Sequence, residues 1–217
     1  MVEDRAGAGG RSAVVFVRHG ESGWNRAGRL QGQAAEAPGL TARGMVQARQ
    51  VAASLVGAGA RLVITSDLRR ARETASVIAS MLGVPLTYDR RLRERAMGVV
   101  EGRPAASVPP ELLGIAGGVV HDVRCAPAGG ETLEAMARRV RQFVADLRSR
   151  VRGTIVVVTH GGVMRVARWQ AGGGELEGMP WTGVANGTTW TLTWLWPAGR
   201  WEVEGGTGAA PRPAIGR

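Results

Sequence analysis

The chain contains no lysine. All 28 of its basic residues are arginine, so the formal net charge of +10 over 217 residues rests on a group that stays protonated and grips phosphate bidentately. That charge favours anionic partners and raises a nucleic-acid reading. The arginines are spread along the chain, however, many of them beside Asp and Glu, and no zinc-finger, helix-turn-helix or aromatic RNA-binding motif accompanies them. Nucleic acid is therefore not expected as the partner. Cysteine is almost absent as well: Cys125 stands alone and cannot form an intrachain disulfide, which fits a reducing compartment. Cys125 is read as structural or incidental. Long apolar runs are missing, since no stretch approaches the ~20 residues of a membrane span. The opening MVEDRAGAGGRS carries acidic residues and no apolar h-region. A soluble cytoplasmic protein with no membrane partner is expected. HExxH, paired CxxC and Asp-rich loops are absent too, so neither a metal nor another cofactor is expected.

What is present is the make-up of one globular domain. An apolar share of 44% allows a sizeable core. Residues 1–12 and 205–217, rich in Gly, Ala, Pro and Arg without periodicity, read as flexible tails around a single domain at 13–204. Short apolar runs at 13–17 (AVVFV), 62–65 (LVIT) and 155–158 (IVVV) have the character of strands buried on both faces. Helical spacing follows each of the first two and precedes the third. Met45, Ala48, Ala52 and Leu55 follow a Thr41 cap; Leu68, Ala71, Ala75, Ile78 and Leu82 follow Ser66; Leu133, Met136, Val140, Phe143 and Leu147 form the clearest stripe. These stripes are core. Near the end, Trp190, Leu192, Trp194 and Trp196 alternate with threonines as a strand, with a turn at 197–200 leading into 201–203, and the Trp row reads as packing. Residues 98–130 read as a loop region with one short helix around 110–115. The expected fold is a three-layer α/β/α sandwich whose central sheet is mostly parallel and ends in an antiparallel strand or hairpin.

In such sheets ligands bind beyond the carboxyl ends of the strands. After the first run come Arg18, His19 and Gly20; after the second, Ser66, Arg69, Arg70 and Arg72; after the third, Thr159, His160, Gly161 and Gly162. Two of the three histidines thus stand where a ligand belongs. The third, His121, falls in the loop region and is given no role.

The segments RHGESGWN, GRLQG, SDLRRARETA, LRERAMGVVEG, GGET and THGGVMR occur in an order and spacing that resemble the histidine phosphatase superfamily, the phosphoglycerate mutase-like fold, across residues 13–196. The resemblance implies His19 as nucleophile, Arg18 and Arg70 as phosphate ligands, His160 as second catalytic histidine and Glu94 as proton donor. Asn25 matches a polar position of the phosphate pocket. Arg69 and Arg72 fall outside the matching arginine position and read as surface residues.

The chemistry asks for these residue types. A phosphate monoester is nearly dianionic, with a second pKa of ~6, and resists nucleophiles until its oxygens are neutralised. Two guanidinium forks provide that neutralisation. A histidine attacks in line through one ring nitrogen when the other is held as a donor, giving a phosphohistidine that water discharges. Gly20 is read as allowing close backbone approach to the phosphate. A protonated His160 would add a charged donor. Gly161 and Gly162 are read as opening a helix whose N–H groups face the anion. Glu94 then serves as acid for the leaving alkoxide and base for water, with Glu101 and His160 the next candidates.

The sequence departs from the pattern where an acid and a Trp are usual: Ala96 and Val100 stand there, on the leaving-group side. The resemblance favours the phosphatase branch, because RAMGVVEG follows Glu94 in place of an ERHYG-like mutase segment and HGGVMR replaces the HGNSLR type. Phosphoglycerate mutase-type transfer is the alternative, followed by a non-catalytic anion-binding or nucleic-acid-binding protein. SDLRRA and ANGTTWTL are similar to segments of actinobacterial glucosyl-phosphoglycerate phosphatases, which implies a small-molecule sugar or organic-acid phosphate as substrate. The resemblance leaves a homodimer open.

Overall fold

The three apolar runs become neighbouring parallel strands. In the computed structural model, which describes residues 12–150, 153–195 and 200–204, the strands are β1 (Ser12–Arg18), β2 (Ala60–Thr65), β3 (Leu86–Tyr88), β4 (Ile115–Ala116), β5 (Val119–Val120), β6 (Thr154–Thr159), β7 (Thr189–Leu195) and β8 (Arg200–Glu204). Six of them form one sheet in the order β3-β2-β6-β1-β7-β8, and β4 and β5 form a separate small hairpin. β3, β2, β6 and β1 pair in parallel; β7 runs antiparallel to β1, and β8 to β7. The expected architecture is the observed one, with the antiparallel pair at one edge.

Alternation along β1 divides the core into two faces. Val14 and Phe16 pack with Ile155 and Val157 beneath α4 (Leu133–Arg150) and α5 (Gly161–Ala171). Val17 turns to the opposite face with Val63, Val156 and Val158, beneath α2 (Ala42–Ser54) and α3 (Arg69–Leu82). A one-turn helix, α1 (Gly23–Arg26), follows β1. The Trp row is packing: Trp190 stacks on Phe16 with ring centroids 4.5 Å apart, and Trp194 meets Trp201 edge-on at 5.0 Å. Such contacts add to the area each ring buries.

Four details differ from the expectations. β1 begins at Ser12, one residue into the expected tail; residues 1–11 and 205–217 lie outside the described residues, as do Trp196 and most of the 197–200 turn. β3, only three residues long, carries no apolar run that marks it. Thr41 caps α2 as read, accepting from the Gly44 amide at 3.0 Å, while α3 starts at Arg69 and leaves Leu68, the first residue of the expected stripe, in the capping position without a side-chain bond. Residues 98–130 hold short 3-10 turns, one of them Pro110–Leu113 where a short helix was expected, and the β4-β5 hairpin. This region is fastened from inside by the fully buried Arg95, which donates to the carbonyls of Glu131, Leu113 and Cys125 at 2.6–2.7 Å.

Candidate active site

Because β1, β2 and β6 are parallel, Arg18, His19, Ser66 and His160 arrive at one edge of the sheet together. His19 and His160 are both buried, with ring centroids 5.1 Å apart. The surroundings of His19 select its tautomer. Its Nδ1 lies 2.7 Å from the Gly20 carbonyl, which can only accept, so Nδ1 carries the proton. Nε2 then holds the lone pair, and the Arg70 Nε–H donates to it at 3.2 Å. Burial first, then Arg70 and Arg18, push the His19 pKa well below its ordinary value, so the ring is neutral near pH 7. A neutral imidazole with a directed lone pair is a competent nucleophile.

Arg70 projects from the first turn of α3 and is held by the Gly32 carbonyl at 2.9 Å through Nη2. Burial brings its pKa down to about 10, which leaves it charged at neutral pH. Arg18, at the end of β1, donates through Nη1 to the Val184 carbonyl, while its buried Nε has no partner among the described residues. An unpartnered buried N–H on a guanidinium is costly unless a ligand satisfies it. His160 shows the same signature. Its Nε2 is 2.9 Å from Ser66 Oγ, and its buried Nδ1 has no partner. Burial, followed by Arg70 and His19, lowers the His160 pKa well below the ordinary value, so in the ligand-free site it is neutral and not the charged donor considered above.

Glu94 is not a solvated ion-pair residue. Arg93 is paired with Asp67 at 2.6 Å and Arg95 points into the loop region. The Glu94 carboxylate instead accepts from the amides of Gly162 (3.0 Å) and Arg95 (2.9 Å). Arg139 of α4 fixes the segment that carries it, donating to the carbonyls of Arg91, Arg93 and Glu94 while pairing with Glu131 at 2.7 Å. A cavity of about 280 Å³ opens beside Arg18, Glu94, Gly161 and Gly162, with Met97, Arg165, Trp181 and Val184 among its walls.

Two glycine readings are corrected. Gly20 is needed for packing: a Cβ there would lie 2.3 Å from the Gly44 carbonyl oxygen of α2. The Gly162 amide is occupied by Glu94 and is not free for an anion; its missing side chain makes room for the Glu94 carboxylate, 2.2 Å from where a Cβ would be. Gly161 is among the residues that line the cavity.

Asn25 sits in α1, where its Oδ1 accepts from the Ser22 amide (3.2 Å) to close a capping box and from Asn186 Nδ2 (3.1 Å). Its own amide nitrogen has no protein partner among the described residues, which makes it a donor available to phosphate. Asn186 also donates to the His19 carbonyl at 3.0 Å. Sequence reading missed Asn186, Ser66 as the His160 partner, Arg165 and Trp181, because each acts through a contact between distant segments. Arg69 pairs with Glu73 at 2.8 Å and Arg72 stacks near Tyr88; both are exposed, as expected of surface residues. Glu101 accepts from the Met97 and Gln33 amides at 2.7 and 2.8 Å, a bracing role beneath the Gly32 turn. His121 is exposed and lines a second hollow away from the catalytic residues. Among the described residues no group of three or more His, Cys, Asp or Glu side chains is arranged to hold a metal ion, and no helix is long and apolar enough to cross a membrane.

The family described as the histidine phosphatase superfamily (branch 1) matches residues 14–205. A probable phosphoglycerate mutase GpmB from Salmonella paratyphi C (strain RKS4594) is 38% identical over 150 residues, 68% of this chain and 69% of that one. Among solved structures, a mycobacterial glucosyl-3-phosphoglycerate phosphatase complexed with VO3 is similar with a TM-score of 0.77 and 29% identity, covering 89% of this chain and 97% of that one. A putative alpha-ribazole-5'-P phosphatase from Escherichia coli str. K-12 substr. MG1655 has a TM-score of 0.75 and 26% identity over 89% of this chain and 94% of its own.

Proposed function

The chain belongs to the histidine phosphatase superfamily, and from that premise we propose that it hydrolyses a small-molecule phosphate monoester through a phosphohistidine on His19. The observation that carries this reading is the tautomer of His19: a protonated Nδ1 on the Gly20 carbonyl and an Nε2 lone pair aimed into a cluster of arginines. The ester phosphate takes the place of the Arg70–His19 contact, and its oxygens are met by Arg18, Arg70, the Asn25 amide and Nδ1 of His160. A dianion beside His160 restores its affinity for a proton, so the ring becomes a charged donor once phosphate is bound. Nε2 attacks phosphorus in line, the P–O bond to the alcohol breaks, and the departing oxygen takes a proton from Glu94. The resulting Glu94 carboxylate then accepts a proton from the water that attacks the phosphohistidine, and phosphate leaves. The arginines supply the charge neutralisation for which other phosphatases use a divalent ion.

The mutase name of the Salmonella relative favours a second reading, in which the phosphoryl group passes to another hydroxyl in place of water. One experiment separates the two. Purified protein is given a panel of phosphate monoesters in chelator, and 3-phosphoglycerate together with its bisphosphate. Phosphate release with an acid-labile phosphoenzyme supports the phosphatase; interconversion of phosphoglycerates without net release supports the mutase.

A further inference from the structure

A second arginine lines the cavity beside Arg18 and Glu94, and the transfer of one phosphoryl group does not call for it. Arg165 stands four residues after Gly161 on α5, hence on the same side of the helix. Its Nε and Nη2 both donate to the Thr182 carbonyl, at 2.9 and 2.6 Å, and its guanidinium lies 4.0 Å from the centroid of the Trp181 ring. Two consecutive residues of the loop before β7 therefore fix its plane. The Nε–Nη2 edge is taken. The Nη1–Nη2 edge keeps two N–H donors side by side, the fork that matches a carboxylate or phosphate.

The one carboxylate that acts on Arg165 is Glu94, through space and without a direct ion pair. Among the described residues no carboxylate lies within ion-pair distance of it, and the two Glu94 oxygens are each held by a backbone amide. Arg95 shows how this protein treats a purely structural buried arginine, surrounding it with three separate carbonyls. Arg165 has one carbonyl and an aromatic face. Burial lowers its pKa to about 10, which leaves it charged at neutral pH. A cation so placed, where the leaving group must depart, feels Glu94 only through space and keeps one edge of its fork without a protein partner among the described residues.

We propose that Arg165, held over the Trp181 ring, is a specificity-determining residue that binds a second anionic group, a carboxylate or a second phosphate, on the alcohol portion of the substrate. The proposal rests on the phosphatase reading for the placement of that alcohol. The cavity, about 280 Å³, lies just below the ~300–1,000 Å³ of ordinary ligand pockets, so the alcohol portion is small. The alternative is that Arg165 merely holds the 181–186 loop, in which case its loss weakens all substrates alike.

The test compares esters that differ only in the second group: 3-phosphoglycerate, glycerol 1,3-bisphosphate and glycerol 3-phosphate, whose alcohol portion is uncharged. Wild-type kcat/KM should favour one or both of the doubly anionic esters by about tenfold or more, the size of one good charged contact. Which of the two is preferred identifies the second group. Arg165→Gln should bring that ratio close to one, chiefly through KM, and Arg165→Lys should recover part of it. Trp181→Leu, which keeps the charge but frees its plane, should lower the ratio in the same direction and serves if the Gln variant folds poorly. A wild-type ratio near one, or equal losses on all three esters in Arg165→Gln, overturns the proposal. Calorimetric affinities of the same three ligands for His19→Ala protein decide the subsite without turnover. If wild type releases phosphate from no ester of the wider monoester panel and the affinity ratio persists, the phosphatase reading fails while the subsite stands.

Discussion

The carboxylate of Glu94 sits on the amide of Gly162, 3.0 Å away, so the acid is held at the first turn of α5 by a residue with no side chain to displace it. This contact joins the loop after β3 to the start of α5, and it holds a residue flanked by arginines in the wall of the cavity.

Glu94→Gln keeps the size of the side chain but removes the transferable proton. The loss should be about 10²-fold or more on alkyl phosphates, and much smaller in phosphoenzyme formation from p-nitrophenyl phosphate, whose leaving group needs little help. Gly162→Ala should imitate it, because the new Cβ would fall 2.2 Å from Glu94 Oε1 and force the carboxylate aside. Burst kinetics on both esters check this. Equal losses in phosphorylation rate on the two would move the proton donor elsewhere.

His19→Ala should abolish the phosphoenzyme and phosphate release together, since it removes the Nε2 lone pair that faces Arg70. Arg70→Lys tests geometry apart from charge. Arg70 uses Nε for His19 and Nη2 for the Gly32 carbonyl, two donors in one plane that an ammonium cannot reproduce. A fall of about 10²-fold in kcat/KM is expected, comparable with the loss of a well-placed charged donor. Retention of rate within threefold would argue against a bidentate role.

The site was legible in the sequence where chemistry is confined to a strand end. Arg18, His19 and His160 follow buried runs that must lie side by side in a parallel sheet, so their convergence could be read before any coordinates. Arg70 and Glu94 required the resemblance, since a charged residue in a helix or loop has no periodicity to mark it. Asn186, Ser66 and the Trp181–Arg165 pair were not legible, because each depends on where a long loop folds back. The glycines were legible as necessary, but the reasons differed: Gly20 and Gly162 exclude side chains in favour of Gly44 and Glu94, and not of the ligand.

His19 and His160 are both held neutral in the folded site, which sets the sign of the acid response. With native pKa values depressed below 6.5, the unfolded chain takes up protons first as the pH falls. Stability is therefore unaffected by this pair above pH ~6.5 and declines from there down to the native pKa values, at up to about 1.4 kcal/mol per pH unit for each histidine. Denaturant midpoints measured between pH 7.5 and 5 should show the slope, and His160→Gln should roughly halve it. The acid limb of kcat/KM should also lie below 6.5, because the free enzyme's nucleophile is already deprotonated there. A limb at or above 6.5 would mean that His19 is not depressed.

Arg95 is the internal fastener of the 98–130 region, and its removal should be felt as stability. Arg95→Met fills similar space but leaves the carbonyls of Glu131, Leu113 and Cys125 without a donor. Unsatisfied buried acceptors cost ~1–3 kcal/mol each, so a loss of at least about 2 kcal/mol is expected even if water reaches one of them. Chemical unfolding measures it. A variant as stable as wild type would show that the loop region is held by other contacts.

The last prediction concerns Gly44, whose role is visible only from the other side of its contact. Replacing a glycine inside a helix by alanine ordinarily stabilises it by ~1 kcal/mol. Here the sign should reverse. Gly44 lies in the first turn of α2, against the loop that follows His19, and a Cβ on it would come 2.1 Å from the Glu21 carbonyl oxygen. That oxygen accepts from the Thr41 amide at 2.9 Å, and the Glu21 amide donates to Gln47 Oε1 at 2.8 Å, so helix and loop are locked face to face. The intruding methyl meets backbone, which cannot rotate away, and the loop must shift. Overpacking of this kind costs ~1–3 kcal/mol. Because the loop begins at Gly20, whose carbonyl fixes the His19 tautomer, the displacement should also reach the nucleophile. Gly44→Ala should thus lower the unfolding midpoint and reduce the rate of phosphoenzyme formation together. Gln47→Ala, which removes a hydrogen bond without adding an atom, should cost less in both. An alanine variant more stable than wild type with full activity would mean that α2 can slide by several tenths of an ångström without disturbing the catalytic loop.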